Sequence, residues 1–447
     1  MTHHPPSLSL RPFGDAWALY RRPLRFLDQL HRRGDLAEIR LGPRRVYIPT
    51  TAELTSEVLV TQSGNFRKGE QFEKLRPLIG NGLASAEGEL HRRQRCLMRP
   101  AFHKSRFPFY FEVIRDVTRA HSARWREGKQ LLLDRAMYQL SAAIATRLLF
   151  NSPITDRTAS VIEEAGLCVV RGLGKKVIAP FGFAEHLPTS ANRDYEAAMR
   201  RLHTVVGDVI QTRRQEGIDY GDLLSILLTA VDPDTGAMTD QQVHDEVMTM
   251  LGGATESTAV TLSWALFEID RHPEVENQVM SELAALSEIS LESLGELTFL
   301  QRVVDETLRI RGPAWILTRR AAKDVRLGAA RLSAGTSIWY SPYLLHHDPR
   351  LYPHPERFDP GRWLNTHPTS RECTFIPFGA GMRSCVGEQL ARMEVLTVLA
   401  TILQDWRLPT RPNVTVRPVP GFVLAPGALP VIPTRRSGRS RYPVRTP

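Results

Sequence analysis

Three features of the sequence predict a single, mainly α-helical domain with small β-sheets. Between Ser141 and Gly295 apolar residues recur mostly at helical spacing. Short stretches of alternating apolar and polar residues lie to either side of that block. No Gly/Ser- or Pro-rich linker and no fixed-period repeat divides the interior. With 447 residues, 42% of them hydrophobic, the chain can bury a large core, which excludes disorder as its default state.

Residues 1–12 read as a flexible start, with neither a secretory signal pattern nor a run of about twenty apolar residues. From Asp35 to Pro49, Ile39, Leu41, Val46 and Ile48 alternate with polar residues around Gly42-Pro43, which predicts a β-hairpin; helices follow from Thr51. Pro153, Pro180, Pro188 and Asp232-Pro233-Asp234 interrupt the helical block. Its clearest helix opens at Thr239, capped with Gln242 three residues on, and runs to His272 before Pro273, roughly 50 Å at a rise of about 1.5 Å per residue. Val325 to Tyr340 and Val414 to Ile432 predict short strands. Residues 434–447, with Arg435, Arg436, Arg439, Arg441 and Arg445, read as a basic disordered tail.

The net charge of +10 (58 basic against 48 acidic residues) owes much to that tail, and names no nucleic-acid partner. Cys96, Cys168, Cys373 and Cys385 lie far apart, without the spacing of a zinc site or a disulfide framework, so a reducing cytoplasm fits.

The most informative stretch is Phe378-Gly379-Ala380-Gly381-Met382-Arg383-Ser384-Cys385-Val386-Gly387. This glycine-rich loop delivers one cysteine to the start of an apolar-periodic helix, Val386 to Trp406. A cysteine at a helix N-terminus is favoured as thiolate by the dipole and by free N–H groups, and glycines let backbone approach a flat macrocycle. Phe378, Gly381, Arg383, Cys385 and Gly387 match every defining position of the haem-binding signature of the cytochrome P-450 family, which the chain resembles. The resemblance implies that family's fold over residues 13–433, a triangular helical prism around a buried haem b, with Cys385 as the metal ligand. It implies a haem-thiolate monooxygenase that uses O2 and takes electrons from NAD(P)H through redox partners.

Three further matches extend the resemblance. Glu306 and Arg309 lie on one helix face and resemble the family's Glu-x-x-Arg pair, with Arg357 of Pro355-Glu356-Arg357-Phe358 as the expected third, structural partner. His91 and Arg95 resemble the family's ligands to the haem propionates, and Arg319 and Arg383 match further propionate contacts. Gly253-Ala254-Thr255-Glu256-Ser257-Thr258 resembles the oxygen-activation motif, with Ala254 where glycine is usual and Ser257 where threonine is usual. The implied catalytic residues are Glu256 with Ser257 or Thr258, either hydroxyl being able to relay a proton.

The expected substrate pocket draws on residues 66–79, 168–187, 250–254, 314–317 and 421–424, nearly all apolar, with Leu251, Ala254, Trp315, Ile316 and Phe422 among its contacts. Phe66-Arg67-Lys68-Gly69, Ile79-Gly80-Asn81-Gly82-Leu83 and the stretch from His91 to His103 are similar to bacterial members that oxidise cyclic terpenes in specialised-metabolite biosynthesis, such as the pentalenene oxygenases. Fatty-acid hydroxylation is the rival chemistry, and a haem protein that binds ligand without turnover is the rival of another class. No reductase pattern follows the haem domain. The resemblance therefore implies a ferredoxin and its reductase, docking near Arg383 and Arg392 of a cytoplasmic monomer.

Overall fold

The predicted hairpin forms: Leu36–Leu41 pairs antiparallel with Arg44–Pro49, Leu41 opposite Arg44, and the turn places Gly42 at φ 67°. Its alternation sends Ile39, Val46 and Ile48 into a core where none is accessible. Ser337–Tyr340 adds parallel to the second hairpin strand. Leu317–Ala321 and then Phe66–Lys68 continue antiparallel to complete a five-stranded sheet. The computed structural model describes residues 14–151, 156–178, 189–366, 371–411 and 414–436.

The long helix spans Asp240–Arg271 and begins as its sequence dictates. Thr239 Oγ1 accepts from the Gln242 N–H at 3.2 Å while Gln242 Oε1 accepts from the Thr239 N–H at 3.0 Å. It continues unbroken through Gly252 and Gly253. Val247, Leu262, Trp264 and Ala265 are wholly buried where it packs on Leu133–Leu149, Thr298–Arg311 and Glu388–Asp405. Asp156–Ile178 and Ser190–Glu216 form a packed pair beside them. Pro153, Pro180 and Pro188 lie outside the described residues; at 231–237 the interruption is a two-stranded hairpin. None of the described helices is long and apolar enough to cross a membrane.

Two boundaries differ from expectation. The C-terminal helix is Glu388–Asp405 rather than residues 386–406, because Gly387 caps it and Trp406 turns into a strand. The basic tail does not begin at residue 434. Thr434–Arg435 pairs with Trp406–Arg407, Arg435 lies 4.1 Å above the Trp406 ring, and Arg436 pairs with Glu276. The buried Trp406 needs cover, and these residues supply it. The expected flexible segment 1–12 lies outside the described residues, as does the remainder of the tail.

Glu306 and Arg309 are buried and doubly hydrogen-bonded, Nε to Oε2 at 2.9 Å and Nη2 to Oε1 at 2.8 Å. Their third partner is Arg362, not the expected Arg357. Arg362 Nε donates to Glu306 Oε1 at 3.0 Å, beside the Asp359 N–H at 2.9 Å and Trp363 Nε1, which meets Oε2 at 2.9 Å. Arg357 is exposed and offers Arg309 only its carbonyl, at 3.2 Å, next to those of His346 and Pro355 at 2.7 and 2.8 Å. The Pro-Glu-Arg-Phe segment thus serves through its backbone, which any side chain provides. Arg357→Ala is expected to change the free energy of unfolding by less than about 0.5 kcal/mol, whereas Arg362→Ala costs about 1–3 kcal/mol by stranding part of a buried carboxylate. Chemical denaturation of both variants checks the contrast.

Candidate active site

Cys385 is placed by its loop rather than by a helix. Its N–H donates to the Phe378 carbonyl at 2.8 Å, closing a turn in which Gly379 and Gly381 take φ of 73° and 68°. A Cβ on Gly381 would fall 2.1 Å from the Leu59 carbonyl oxygen, so this glycine answers to packing against residues 59–60. The cysteine is open to a cavity of about 440 Å³ yet lies deep in the protein. Burial therefore pushes its thiol above the usual range, more than the Gly387 N–H and Arg95 lower it. The expected backbone N–H at the helix start is therefore present and lowers the thiol's pKa, but desolvation outweighs it.

One end of the same cavity gathers Lys68, His91, Arg95, Arg319 and Arg383. Lys68 and Arg319 face each other as cross-strand partners, an arrangement that costs energy unless an anion joins them. Burial first, then the charges of Arg319 and Arg383, push the Lys68 ammonium far down. His91 is driven to about 4 by burial and by the charges of Arg383, Lys68, Arg95 and Arg319. Arg319 is held by the Thr318 carbonyl at 3.0 Å and the Tyr340 hydroxyl at 3.4 Å, and Arg95 by the Ser384 carbonyl at 2.7 Å. Among the described residues, the one carboxylate ion-paired with this group is Glu87, on Arg383. Sequence reasoning placed Lys68 in the expected pocket segment 66–79 and not with the cations at this end, although strand alternation sets it on the same face as the buried Phe66.

The long helix forms the wall over Cys385 with Gly253, Ala254, Ser257, Thr258 and Thr261. A Cβ at Gly252 or Gly253 would meet nothing within 4 Å, so these glycines leave room rather than relieve a protein contact. Ser257 returns its hydroxyl to the Gly253 carbonyl at 2.7 Å, and Thr258 is buried. Glu256 is not among the lining residues. It lies close enough to Tyr138 for its charge to raise that phenol's pKa, and burial pushes its own carboxyl up to about 8. Glu394, which the sequence did not single out, lines the cavity and is likewise raised to about 8 by burial.

Ala254, Ile316 and Phe422 line the cavity as expected; Leu251 and Trp315 do not. Leu251 faces a separate, roughly water-sized cavity of about 40 Å³ with Tyr138 and Val169. Trp315 is buried in the core under the sheet, its Nε1 donating to the Gly421 carbonyl at 2.9 Å. One position before a lining residue in a strand-like segment points to the opposite face. Residues 168–173 do not reach the main cavity, and residues 179–187 lie outside the described residues. Arg392 is no free docking cation: it pairs with Asp305 at 2.6 Å and with Glu388 at 3.2 Å. Arg383 is turned inward to Glu87 and the Ala86 carbonyl.

A thiol at the floor of a deep slot, an under-neutralised cationic edge and apolar walls fit a flat metal macrocycle that carries carboxylates. The class so defined is confirmed by comparison: the cytochrome P-450 family model matches residues 5–430, and the chain belongs to that family. Its cofactor is haem b, its cosubstrate O2, and its electrons come from NAD(P)H through redox partners. It is a monooxygenase. Among its relatives, cyclooctat-9-en-7-ol 5-monooxygenase of Streptomyces melanosporofaciens is 42% identical over 427 residues, 94% of this chain and 92% of that protein. Pentalenene oxygenase of Streptomyces avermitilis is 36% identical over 439 residues, 97% of this chain and 96% of that protein. The crystal structure of the cytochrome P450DA heme domain superposes with a TM-score of 0.84 over 97% of each chain, at 23% identity.

The cationic edge makes two opposed forecasts. Arg319→Leu removes repulsion from the haem-free protein and raises its melting temperature. The same change removes a charge-assisted bond, so haem affinity falls roughly ten- to hundredfold. Melting curves of the haem-free form and haem transfer to an acceptor protein measure the two separately.

Proposed function

We propose that this monooxygenase hydroxylates a cyclic terpene, a lipophilic polycycle of specialised metabolism. The observation that carries the reading is the cavity's composition. Its cations gather at one end, while Phe72, Leu83, Met250, Ile316 and Phe422 furnish an apolar chamber over Cys385. A fatty acid would need a cation for its carboxylate beyond those that the haem carboxylates take, and the further lining cation, Arg392, is already paired with Asp305 and Glu388. Relatives named for oxidising cyclooctatenol and pentalenene point the same way.

In this reading Cys385 ligates the iron, and His91, Arg95, Arg319, Arg383 and Lys68 receive the haem carboxylates. Glu306 with Arg309 and Arg362 braces the chain around the ligand loop. The bound haem supplies reduction of O2 and insertion of one oxygen atom into a C–H bond. The chain supplies protons. Ser257, whose hydroxyl sits on the Gly253 carbonyl at the cavity wall, is the relay, in preference to the more deeply buried Thr258 beside it. Glu256 holds the proton to be delivered, because burial keeps its carboxyl neutral up to about pH 8. A side-chain turn is needed to bring it to Ser257. The electron donor is a ferredoxin served by its reductase, and the enzyme works as a cytoplasmic monomer.

Haem-loaded protein titrated with cyclic sesquiterpene and diterpene hydrocarbons or their alcohols is expected to give the absorbance shift of water displaced from ferric haem. Turnover with a surrogate ferredoxin system should give a product one oxygen heavier. Tighter binding and faster oxidation of fatty acids would contradict the terpene reading. For Glu256 the sign follows from its raised pKa. The proton is present below about pH 8 and lost above it, so the share of NAD(P)H electrons recovered in product should fall between pH 7 and 9. Glu256→Gln should lower that share at every pH and flatten the dependence.

A further inference from the structure

The chamber over Cys385 contains two polar groups that the protein leaves unsatisfied. Gln71, on the helix Glu70–Ile79, is 8% exposed and lines the cavity. Its backbone N–H donates to Thr318 Oγ1 at 3.2 Å, but its side-chain Oε1 is buried without a hydrogen-bond partner. Thr249 lines the cavity from the long helix, four residues and roughly 6 Å before Gly253. Its hydroxyl is also buried without a partner. Further along the same helix Ser257, Thr261 and Ser263 each return theirs to the carbonyl four residues back, at 2.7–2.8 Å. Gly82 presses on Thr249 from the facing loop, where a Cβ would lie 2.1 Å from Oγ1.

An unmade hydrogen bond on a buried polar atom costs about 1–3 kcal/mol, so two in one apolar chamber call for a reason. A hydrocarbon gives none. The Gln71 amide presents an acceptor in one orientation and a donor in the other, and a group that both donates and accepts answers it either way. A hydroxyl answers both groups, because it donates to an amide oxygen and accepts from a threonine. Helical threonine has two accessible χ1 states, so the Thr249 hydroxyl is not fixed against Gly82.

We infer that Gln71 and Thr249 are the polar anchors of the substrate pocket, and that the substrate is a cyclic terpene that already carries a hydroxyl group. The inference rests on the terpene reading above and narrows it. The preceding reaction must leave an alcohol on the ring skeleton. This enzyme then converts alcohol to diol: one atom of O2 enters a C–H bond, and the other leaves as water with two electrons from NAD(P)H and two protons. Anchoring the first oxygen fixes which carbon faces the iron.

The test titrates haem-loaded full-length protein with a cyclic diterpene hydrocarbon and with its monoalcohol, reading the absorbance shift. The alcohol is expected to bind about tenfold more tightly, the worth of one good hydrogen bond. Thr249→Val or Gln71→Leu should erase most of that preference while leaving hydrocarbon affinity unchanged or improved. The carbon monoxide spectrum of each variant shows that its haem pocket is intact; if one variant loses it, the other carries the comparison. Equal wild-type affinity for the two ligands, or a preference that survives in both variants, overturns the anchor assignment and leaves the terpene reading standing. Binding of neither ligand, with fatty acids bound instead, overturns both.

Discussion

The structure turns on a repulsion that the chain does not resolve by itself. Lys68 and Arg319 stand opposite each other across two strands, with His91, Arg95 and Arg383 around them and, among the described residues, one ion-paired carboxylate, Glu87. Five basic side chains gathered at the end of a deep cavity raise the energy of any state in which no anion joins them. Burial first, and then these neighbouring charges, depress the pKa values of Lys68 and His91. In the proposed reading, haem carboxylates would convert the same cluster from a burden into a binding site, and Cys385, whose thiol is raised by burial, would meet the iron. Folding and cofactor capture are therefore linked: the empty protein carries strain at both ends of the slot that the loaded one releases.

Holding such a site open demands rigid surroundings. The five-stranded sheet fixes Arg319 and Lys68 in register, and the long helix supplies the opposite wall without a break. The Glu306–Arg309–Arg362 cluster ties the helix Thr298–Arg311 to the irregular segment 355–363. A buried ion pair of this kind adds little net stability, because desolvation of both charges offsets their attraction. Its geometric value is larger. Six backbone and side-chain partners converge on two side chains, which leaves the segment one arrangement. His346 extends the same bracing: its Nε2 accepts the Ile376 N–H at 2.9 Å, two residues before Phe378.

Much of this was legible in the sequence wherever a local rule decides. The Thr239/Gln242 capping box, the Gly42-Pro43 turn and the alternation of Ile39, Val46 and Ile48 each encode their geometry within a few residues. The haem-ligand loop, His91, Arg95, Arg319 and Arg383 came from the family pattern, and the structure gathers them. What remained hidden depends on contacts far apart in sequence. Arg362 replaces Arg357 because the carboxylate of Glu306 is reached from the turn after the expected segment, which spacing does not reveal. Leu251 and Trp315 sit one residue away from positions that line the cavity, and only the orientation of their backbone separates pocket from core. Lys68 and Gln71 fell within the expected pocket segment 66–79 without being singled out, and Thr249 just before the segment 250–254; burial, charge and missing partners set them apart. Arg383 and Arg392 looked like a surface patch because the sequence does not show their carboxylate partners.

The measurement that bears most directly on the central claim is the absorbance spectrum of the dithionite-reduced protein with carbon monoxide. Thiolate ligation by Cys385 predicts a Soret band shifted to long wavelength, replaced in Cys385→His by the shorter-wavelength band of imidazole-ligated haem. A well-folded wild type that binds no haem, or that gives the shorter-wavelength band from the outset, would contradict the assignment of Cys385 as the axial ligand and the monooxygenase chemistry built on it.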